Sequence, residues 1–239
     1  MCRVKIRFLS LLLVFCLLLS CAAFAVDGEE VGAAFSDMPP QNHWSYPGIA
    51  FCLEHGLMKG VDDHTFDPDG VTTRAQLITI LWRMSGSPNW TQRYDIGRPI
   101  IHDLTQDWYK TAVDWAFRAG VTTGTSEYID DNGLHLGFYF EPDAPVTREQ
   151  LITFLDRYTW KLLNLPVPAD GDLSRFPDAG SVSDWAVDAV RWAVGHDILH
   201  GTNVNGTDYL DPQGYATRAQ IATLVRNYIL QINASSDAD

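Results

Sequence analysis

Arginine recurs at one kind of place in this sequence, second in Thr73-Arg74-Ala75-Gln76, Thr147-Arg148-Glu149-Gln150 and Thr217-Arg218-Ala219-Gln220. Thr followed three residues later by Gln reads as a helix start: the Thr side chain accepts from an otherwise free amide, and Gln returns a bond to the cap backbone. Arg then falls at about the first helical position, where a cation meets the positive end of the helix dipole and loses roughly 0.3–1 kcal/mol instead of gaining it. An unfavourable charge used three times calls for a negative group nearby. Two sources fit. One is a carboxylate of the chain itself, such as Asp37, Asp103 or Asp178. The other is an external anion held jointly by the guanidinium and the helix amides.

Other reactive side chains do not assemble into a catalytic pattern. His196 and His200 are four residues apart near a helix end, but no third ligand stands at a diagnostic spacing for zinc. Asp130-Asp131-Asn132-Gly133 and the loop from Asp62 to Asp69 are acidic, yet neither fits the calcium-loop register and both read as solvated loops. Neither a Gly-x-Ser-x-Gly elbow nor a phosphate loop occurs, and sequence places no carboxylate pair around a glycosidic bond. Cys52 lies in an apolar segment where Ala116 and Ala193 are its equivalents, so it reads as a small core residue. The expectation is a protein with no catalytic residue, no metal and no cofactor.

The elements that carry the arginines form a threefold repeat. Each copy opens with an Asp (Phe35-Ser36-Asp37, Ile101-His102-Asp103, Phe176-Pro177-Asp178), then a tryptophan (Trp44, Trp108, Trp185) and an apolar helix aligned on Phe51, Trp115 and Trp192. A glycine follows (Gly60, Gly124, Gly201), then an aromatic-acidic-Pro turn (Phe66-Asp67-Pro68, Phe140-Glu141-Pro142, and Tyr209-Leu210-Asp211-Pro212 with one extra residue), and then the Thr-Arg helix. The arginines are 74 and 70 residues apart, so the copies fill nearly everything after the N-terminal segment. In the second helices Leu77, Ile80, Leu81 and Met84 share a face, as do Leu151, Phe154, Leu155, Tyr158 and Leu162, and Ile221, Leu224, Val225, Tyr228 and Ile229. Three such stripes predict a mainly α fold with a central bundle, each first helix outside it and each Gly-to-Pro loop projecting. Residues 85–100 and 164–175 read as connectors, because Ser87-Pro88 and Pro166-Val167-Pro168 disfavour helix.

The 239 residues carry 17 Lys plus Arg against 30 Asp plus Glu, a net charge of −13, with 46% hydrophobic residues. This is a globular composition whose acidic surface argues against nucleic acid as a partner. Arg3, Lys5 and Arg7 precede the apolar run 8–19, too short to serve comfortably as a membrane anchor, and Ala23-Phe24-Ala25 fits a signal-peptidase site. Residues 1–25 therefore read as a signal peptide whose removal carries the charge from −13 to −16 and leaves no membrane span. Leu18-Leu19-Ser20-Cys21 also resembles a lipoprotein box, so acylation at Cys21 stays as the alternative. Of four cysteines only Cys52 lies outside the signal, which precludes an intrachain disulfide in the cleaved product.

These motifs together resemble the S-layer homology module of bacterial cell envelopes, three in tandem over about residues 33–232, as 33–88, 99–163 and 174–232. The resemblance implies one pseudo-threefold spindle with a central three-helix bundle, and grooves between modules that bind an anionic, pyruvylated secondary cell-wall polysaccharide. It implies that Arg74, Arg148 and Arg218 contact the ketal carboxylate. Trp44, Trp108 and Trp185, with Gly60, Gly124 and Gly201, would then line the grooves. The function so implied is noncovalent anchoring of a secreted protein to the cell wall or cell surface, with envelope proteins as further partners. The rivals are a structural or protein-interaction module that has lost glycan binding and, more distantly, a polysaccharide-cleaving enzyme. Three departures stand out. Gln replaces the family's usual Glu in all three motifs, Asp197 replaces the helix-ending glycine seen at Gly56 and Gly120, and the second repeat carries an insertion from Ser126 to Gly137. The acidic start of that insertion is expected to cover or repel a carboxylate in the adjacent groove, making the grooves unequal.

Overall fold

The computed structural model describes residues 35–89 and 100–236. The expected signal peptide, residues 1–25, and most of the first connector lie outside that range. Six α-helices dominate the described residues: α1 (Tyr46–Glu54), α2 (Arg74–Met84), α3 (Asp107–Arg118), α4 (Arg148–Arg157), α5 (Val187–Gly195) and α6 (Arg218–Ser236). Two antiparallel hairpins accompany them, β1 (Ser126–Ile129) with β2 (His135–Tyr139), and β3 (Thr202–Val204) with β4 (Thr207–Tyr209). The mainly α expectation holds. No helix among the described residues is long and apolar enough to cross a membrane.

All three predicted capping boxes form. Thr73, Thr147 and Thr217 each accept from the amide of the Gln three residues on at 3.3 Å, and each Gln side chain accepts from the cap amide at 2.9–3.2 Å. Beyond the caps, the apolar stripes enter one continuous core, in which Leu77, Leu81, Leu151, Leu155, Ile221 and Val225 are buried beside Trp115 and Trp192. Cys52 sits in this core, where burial pushes its thiol up to about 12 and leaves it unreactive at neutral pH.

Helix pairing runs between repeats. The strong contacts are α2 with α3, α4 with α5, and α6 with α1, so each second helix packs on the first helix of the following repeat and the last returns to the first. At the motif ends a second ring closes. Thr72 N–H donates to Ala216 O, Ala216 N–H to Val146 O, and Val146 N–H to Thr72 O, each at 3.0 Å. These three residues are buried, so the triangle satisfies backbone groups that water cannot reach.

The end of α4 departs from the expected helical stripe. From Tyr158 to Leu163 the chain widens into a π-helical turn that stops at Asn164 in the left-handed region. Within this turn the Thr159 hydroxyl bonds to Leu155 O at 2.8 Å and to the Tyr228 hydroxyl of α6 at 2.9 Å. The following connector to residue 175 is irregular, as its prolines require.

Asp197 adopts φ 54° where Gly56 and Gly120 have 64° and 72°. A β-carbon is strained in that region, an effect partly offset by the larger entropy that glycine loses on folding. Asp197→Gly is expected to raise stability by about 0.5 kcal/mol, a Tm increase of about 1–2 °C in a thermal scan.

Candidate anion-binding clefts between the repeats

Each motif arginine reaches into the next repeat. Arg74 Nε donates to Phe140 O at 2.8 Å, Arg148 Nε to Leu210 O at 2.8 Å, and Arg218 Nε to Phe66 O at 2.7 Å. The amide of the same residue donates to the Asp that opens its own repeat: Phe140 to Asp103 at 3.0 Å, Leu210 to Asp178 at 3.0 Å, Phe66 to Asp37 at 2.8 Å. The next amide takes the other carboxylate oxygen, from Glu141, Asp211 and Asp67 at 2.6–2.7 Å, and these three residues are left-handed. One residue per junction is therefore held from both sides, by a carboxylate on its amide and a guanidinium on its carbonyl.

That geometry corrects the first source of compensation expected from sequence and narrows the second. Asp37, Asp103 and Asp178 do not pair directly with the arginines, and among the described residues no carboxylate lies within ion-pair distance of Arg74, Arg148 or Arg218. The helix amides are not free to hold an anion either. The first two amides of α2, α4 and α6 donate to carbonyls of the following repeat: Arg74 to Ala144 and Ala75 to Pro142, Arg148 to Gly214 and Glu149 to Pro212, Arg218 to Gly70 and Ala219 to Pro68, all at 2.9–3.0 Å. The third is taken by the capping Thr. The negative end that each arginine meets is a set of backbone carbonyls from its neighbour, and only the guanidinium edge remains for a ligand.

The arginines are 5%, 8% and 6% exposed, in sequence order. Burial draws the Arg74 pKa down to about 10, opposed by the charges of Glu141 and Asp103, which leaves it protonated at neutral pH. Burial likewise lowers Arg148 and Arg218, each opposed by the two acidic residues of its own junction. Among the described residues, aromatic rings supply further cation contacts at two junctions. Arg74 lies 4.8 Å from the Phe140 ring centre and 5.4 Å from Phe154, and Arg218 lies 4.5 Å from Phe66. At the Arg148 junction Leu210 stands where the others have Phe.

Two cavities open beside these edges. One, of about 390 Å³, brings together Arg218, Lys59, Gly60, Arg83 and Trp108. The other, of about 500 Å³, brings together Arg74, Gly124, Glu141, Arg157 and Trp185. Each gathers an arginine from one repeat, a glycine from the next and a tryptophan from the third. Arg148, Gly201 and Trp44 repeat the same positions but neither cavity joins them. Trp44, Trp108 and Trp185 are 57%, 50% and 56% exposed, so an indole face is available for apolar contact.

The glycines are required by packing whatever the clefts bind. A β-carbon on Gly124, at φ 84°, would stand 2.5 Å from Tyr139 O, and on Gly60 it would strike the Phe35 ring and Asp62 O. On Gly201 it would stand 2.8 Å from the Phe176 ring.

The insertion in the second repeat is the β1–β2 hairpin. It is joined to its own repeat through Phe138, whose amide donates to Ile100 O at 2.8 Å and whose carbonyl accepts from His102 N–H at 3.0 Å. Residues lining the Arg74 cavity run to Thr125 and resume at Glu141, so Ser126 and Glu127 are not part of its wall. The acidic wall there is Glu141, part of the repeat itself. Sequence reasoning missed Arg83 and Arg157. Each stands nine residues after a motif arginine on the same helix, and that recurrence was the available signal.

Among the described residues no group of three His, Cys, Asp or Glu side chains is placed to hold a metal. A sequence model of the S-layer homology domain matches three stretches, residues 34–78, 101–152 and 175–222, more than half the chain. An endoglucanase of Bacillus sp. (strain KSM-635) is 27% identical over 234 residues, 96% of this chain and 22% of that protein. The Surface-layer 125 kDa protein of Lysinibacillus sphaericus is 23% identical over 91% of this chain and 17% of its own length. A cellulosome-anchoring protein of Acetivibrio thermocellus is 23% identical over 66% of this chain and 32% of its own length. The chain thus spans less than a third of each of these relatives.

Proposed function

This chain belongs to the S-layer homology domain family, and we propose that it is an exported, noncatalytic module that anchors to the bacterial cell envelope by binding an anionic, pyruvylated cell-wall polysaccharide. In this reading residues 33–88, 99–163 and 174–232 form a single pseudo-trimeric spindle around a central three-helix bundle. The cyclic helix pairing and the hydrogen-bond triangle through Thr72, Val146 and Ala216 support that arrangement. The surface-layer and cellulosome-anchoring names among the relatives support an envelope location, in the cell wall or at the cell surface.

The observation that carries the proposal is the pairing of a charged arginine edge with a half-exposed tryptophan in cavities between repeats, within a chain of net charge −13. A net-acidic protein binds an acidic polymer only where cations are concentrated. Arg74, Arg148 and Arg218 would meet the carboxylate, Trp44, Trp108 and Trp185 the sugar face, and the backbone at Gly60, Gly124 and Gly201 would form part of the groove wall. No bond is made or broken.

Sedimentation of the protein with purified cell walls, before and after chemical removal of pyruvate, tests this. A charge-assisted hydrogen bond is worth about 1.5–3 kcal/mol, so affinity should fall roughly 10- to 100-fold on removal. Equal binding to both walls would favour a protein-interaction module, and release of soluble sugar would favour an enzyme.

A further inference from the structure

The two cavities differ in charge, and the difference comes from residues outside the Thr-Arg-x-Gln motif. The Arg218 cavity also holds Arg83 and the exposed Lys59, and no carboxylate is among its lining residues. Only four lysines occur in the whole sequence, so three cations in one cleft of an acidic protein is a marked local concentration. The Arg74 cavity holds Arg157, but Glu141 offsets one of its charges. At the third junction the position nine residues after Arg218 is Asn227, and the position before Gly201, where Lys59 precedes Gly60, is His200.

These additional cations are not consumed internally. Arg83 spends Nη1 on Leu57 O at 3.0 Å, which fixes one edge of its guanidinium. The Lys59 side chain has no hydrogen bond or ion pair among the described residues, and neither does Arg157. Asp67 and Asp37 act on Arg218 from outside the cavity lining, and the like charges of Arg218, Arg83 and Lys59 that share the cavity still repel one another, so a ligand bringing more than one negative group relieves that repulsion as well as adding contacts.

Resting on the glycan-binding reading above, we propose that the cleft formed by Arg218, Arg83 and Lys59 is the primary site. It selects a saccharide carrying two or more anionic groups on neighbouring sugars. The Arg74 cleft, offset by Glu141, binds the same ligand more weakly, and the Arg148 junction, with Asn227 in place of arginine, more weakly still.

A tryptophan from a different repeat lines each of the two cavities, and Trp44 holds the equivalent sequence position for the third junction, so the three indoles serve as separate reporters. The intact chain is titrated with trigalacturonate, a carboxylate on every sugar, while the indole N–H signals of Trp108, Trp185 and Trp44 are followed by NMR at low ionic strength. Trp108 should saturate at a concentration at least about fivefold below Trp185, with Trp44 last. Its advantage should shrink with monomeric galacturonate. Lys59→Gln, on an exposed side chain without internal bonds, should raise the Trp108 midpoint about two- to fivefold and leave Trp185 unmoved. Asn227→Arg should bring the Trp44 response to lower concentration.

Saturation of Trp185 or Trp44 first, equal responses, no response at any indole, or a Trp108 midpoint indifferent to Lys59→Gln overturns the assignment. Pyruvate-dependent wall binding with no Trp108 preference removes this inference alone. A Trp108 preference for trigalacturonate without pyruvate-dependent wall binding removes the anchoring reading and leaves the anion site standing.

Discussion

Arg218→Ala should cost about 4 kcal/mol of unfolding free energy, Arg74→Ala about 3 and Arg148→Ala about 2, measured by denaturant unfolding of the full chain without ligand. The order follows from what each guanidinium holds. Arg218 donates to two carbonyls, Phe66 O and, through Nη2, Lys59 O at 2.6 Å, and lies over the Phe66 ring. Alanine would leave both oxygens without that donor. Arg74 holds one carbonyl and contacts two rings, whereas Arg148 holds one carbonyl beside Leu210. A buried acceptor stripped of its donor costs about 1–3 kcal/mol, and each cation–ring contact adds about 0.5–1. Lysine should not restore the loss, because a single ammonium cannot reproduce the directed Nε donor together with the planar contact over the ring. If all three variants stay within about 0.5 kcal/mol of the parent, the arginines are surface residues in energetic terms and the carbonyl grip is wrong. This result also governs how wall-binding data are read. Lost affinity in an Arg→Ala variant mixes a ligand contact with a loosened junction, so Lys59, which holds nothing else by its side chain, is the cleaner probe of binding.

The repeat, the caps and the core stripes were readable from the sequence because each is a local pattern. Thr with Gln three residues on has one dominant structural use, and leucines at helical spacing have one stable place to go. The arginine raised the right question with incomplete answers. Its partner is a carbonyl some 60–150 residues away in the chain, and a carbonyl carries no side-chain identity by which sequence can single it out. Asp37, Asp103 and Asp178 were expected as direct partners of the arginines, and instead they accept the amide of the residue whose carbonyl the arginine takes. The π-helical turn was hidden for a related reason, since the contact made within it, from the Thr159 hydroxyl to Tyr228, crosses to a helix 69 residues away. The clefts were half visible. Each motif arginine was identified, while Arg83 and Arg157 carry no local motif and enter a cleft beside the motif arginine of a different repeat, a juxtaposition made only by the fold.

Excising any one repeat should abolish cooperative folding of the excised piece, and residues 33–88 alone are expected to give a coil-like circular dichroism spectrum with no unfolding transition. The reason lies in which helices meet. The apolar face of α2 packs on α3 of the second repeat, and α1 packs on α6 of the third, so neither helix of the first repeat finds its main partner inside that repeat. Its Phe66 turn is likewise held by Arg218, and its helix start depends on carbonyls of Ala144 and Pro142. A segment of this size would bury too little apolar surface to offset its chain entropy once those faces are opened to water. Closure of the ring can be tested without cutting the chain. Gly48 in α1 lies so near α6 that a β-carbon there would stand 2.6 Å from Thr223 Cα, and Cys52 one turn on points its thiol toward Ala222 O at 3.6 Å. Backbone at that distance cannot rotate away as a side chain would. Gly48→Ala should therefore force α1 off α6 and cost about 1–3 kcal/mol, the range for overpacked cores. Gly56→Ala, where the added carbon meets nothing within 4 Å, should cost about 0.5–1 kcal/mol, the left-handed strain less the entropy that glycine loses on folding, and leave the ring shut. Hydrogen exchange separates the two: in Gly48→Ala the amides of α1 and α6 should lose protection together, whereas in Gly56→Ala they should keep it. Cooperative unfolding of the excised first repeat, or loss of protection confined to α1 in Gly48→Ala, would mean that the repeats are independent units joined in series and that the clefts between them are not built into the fold.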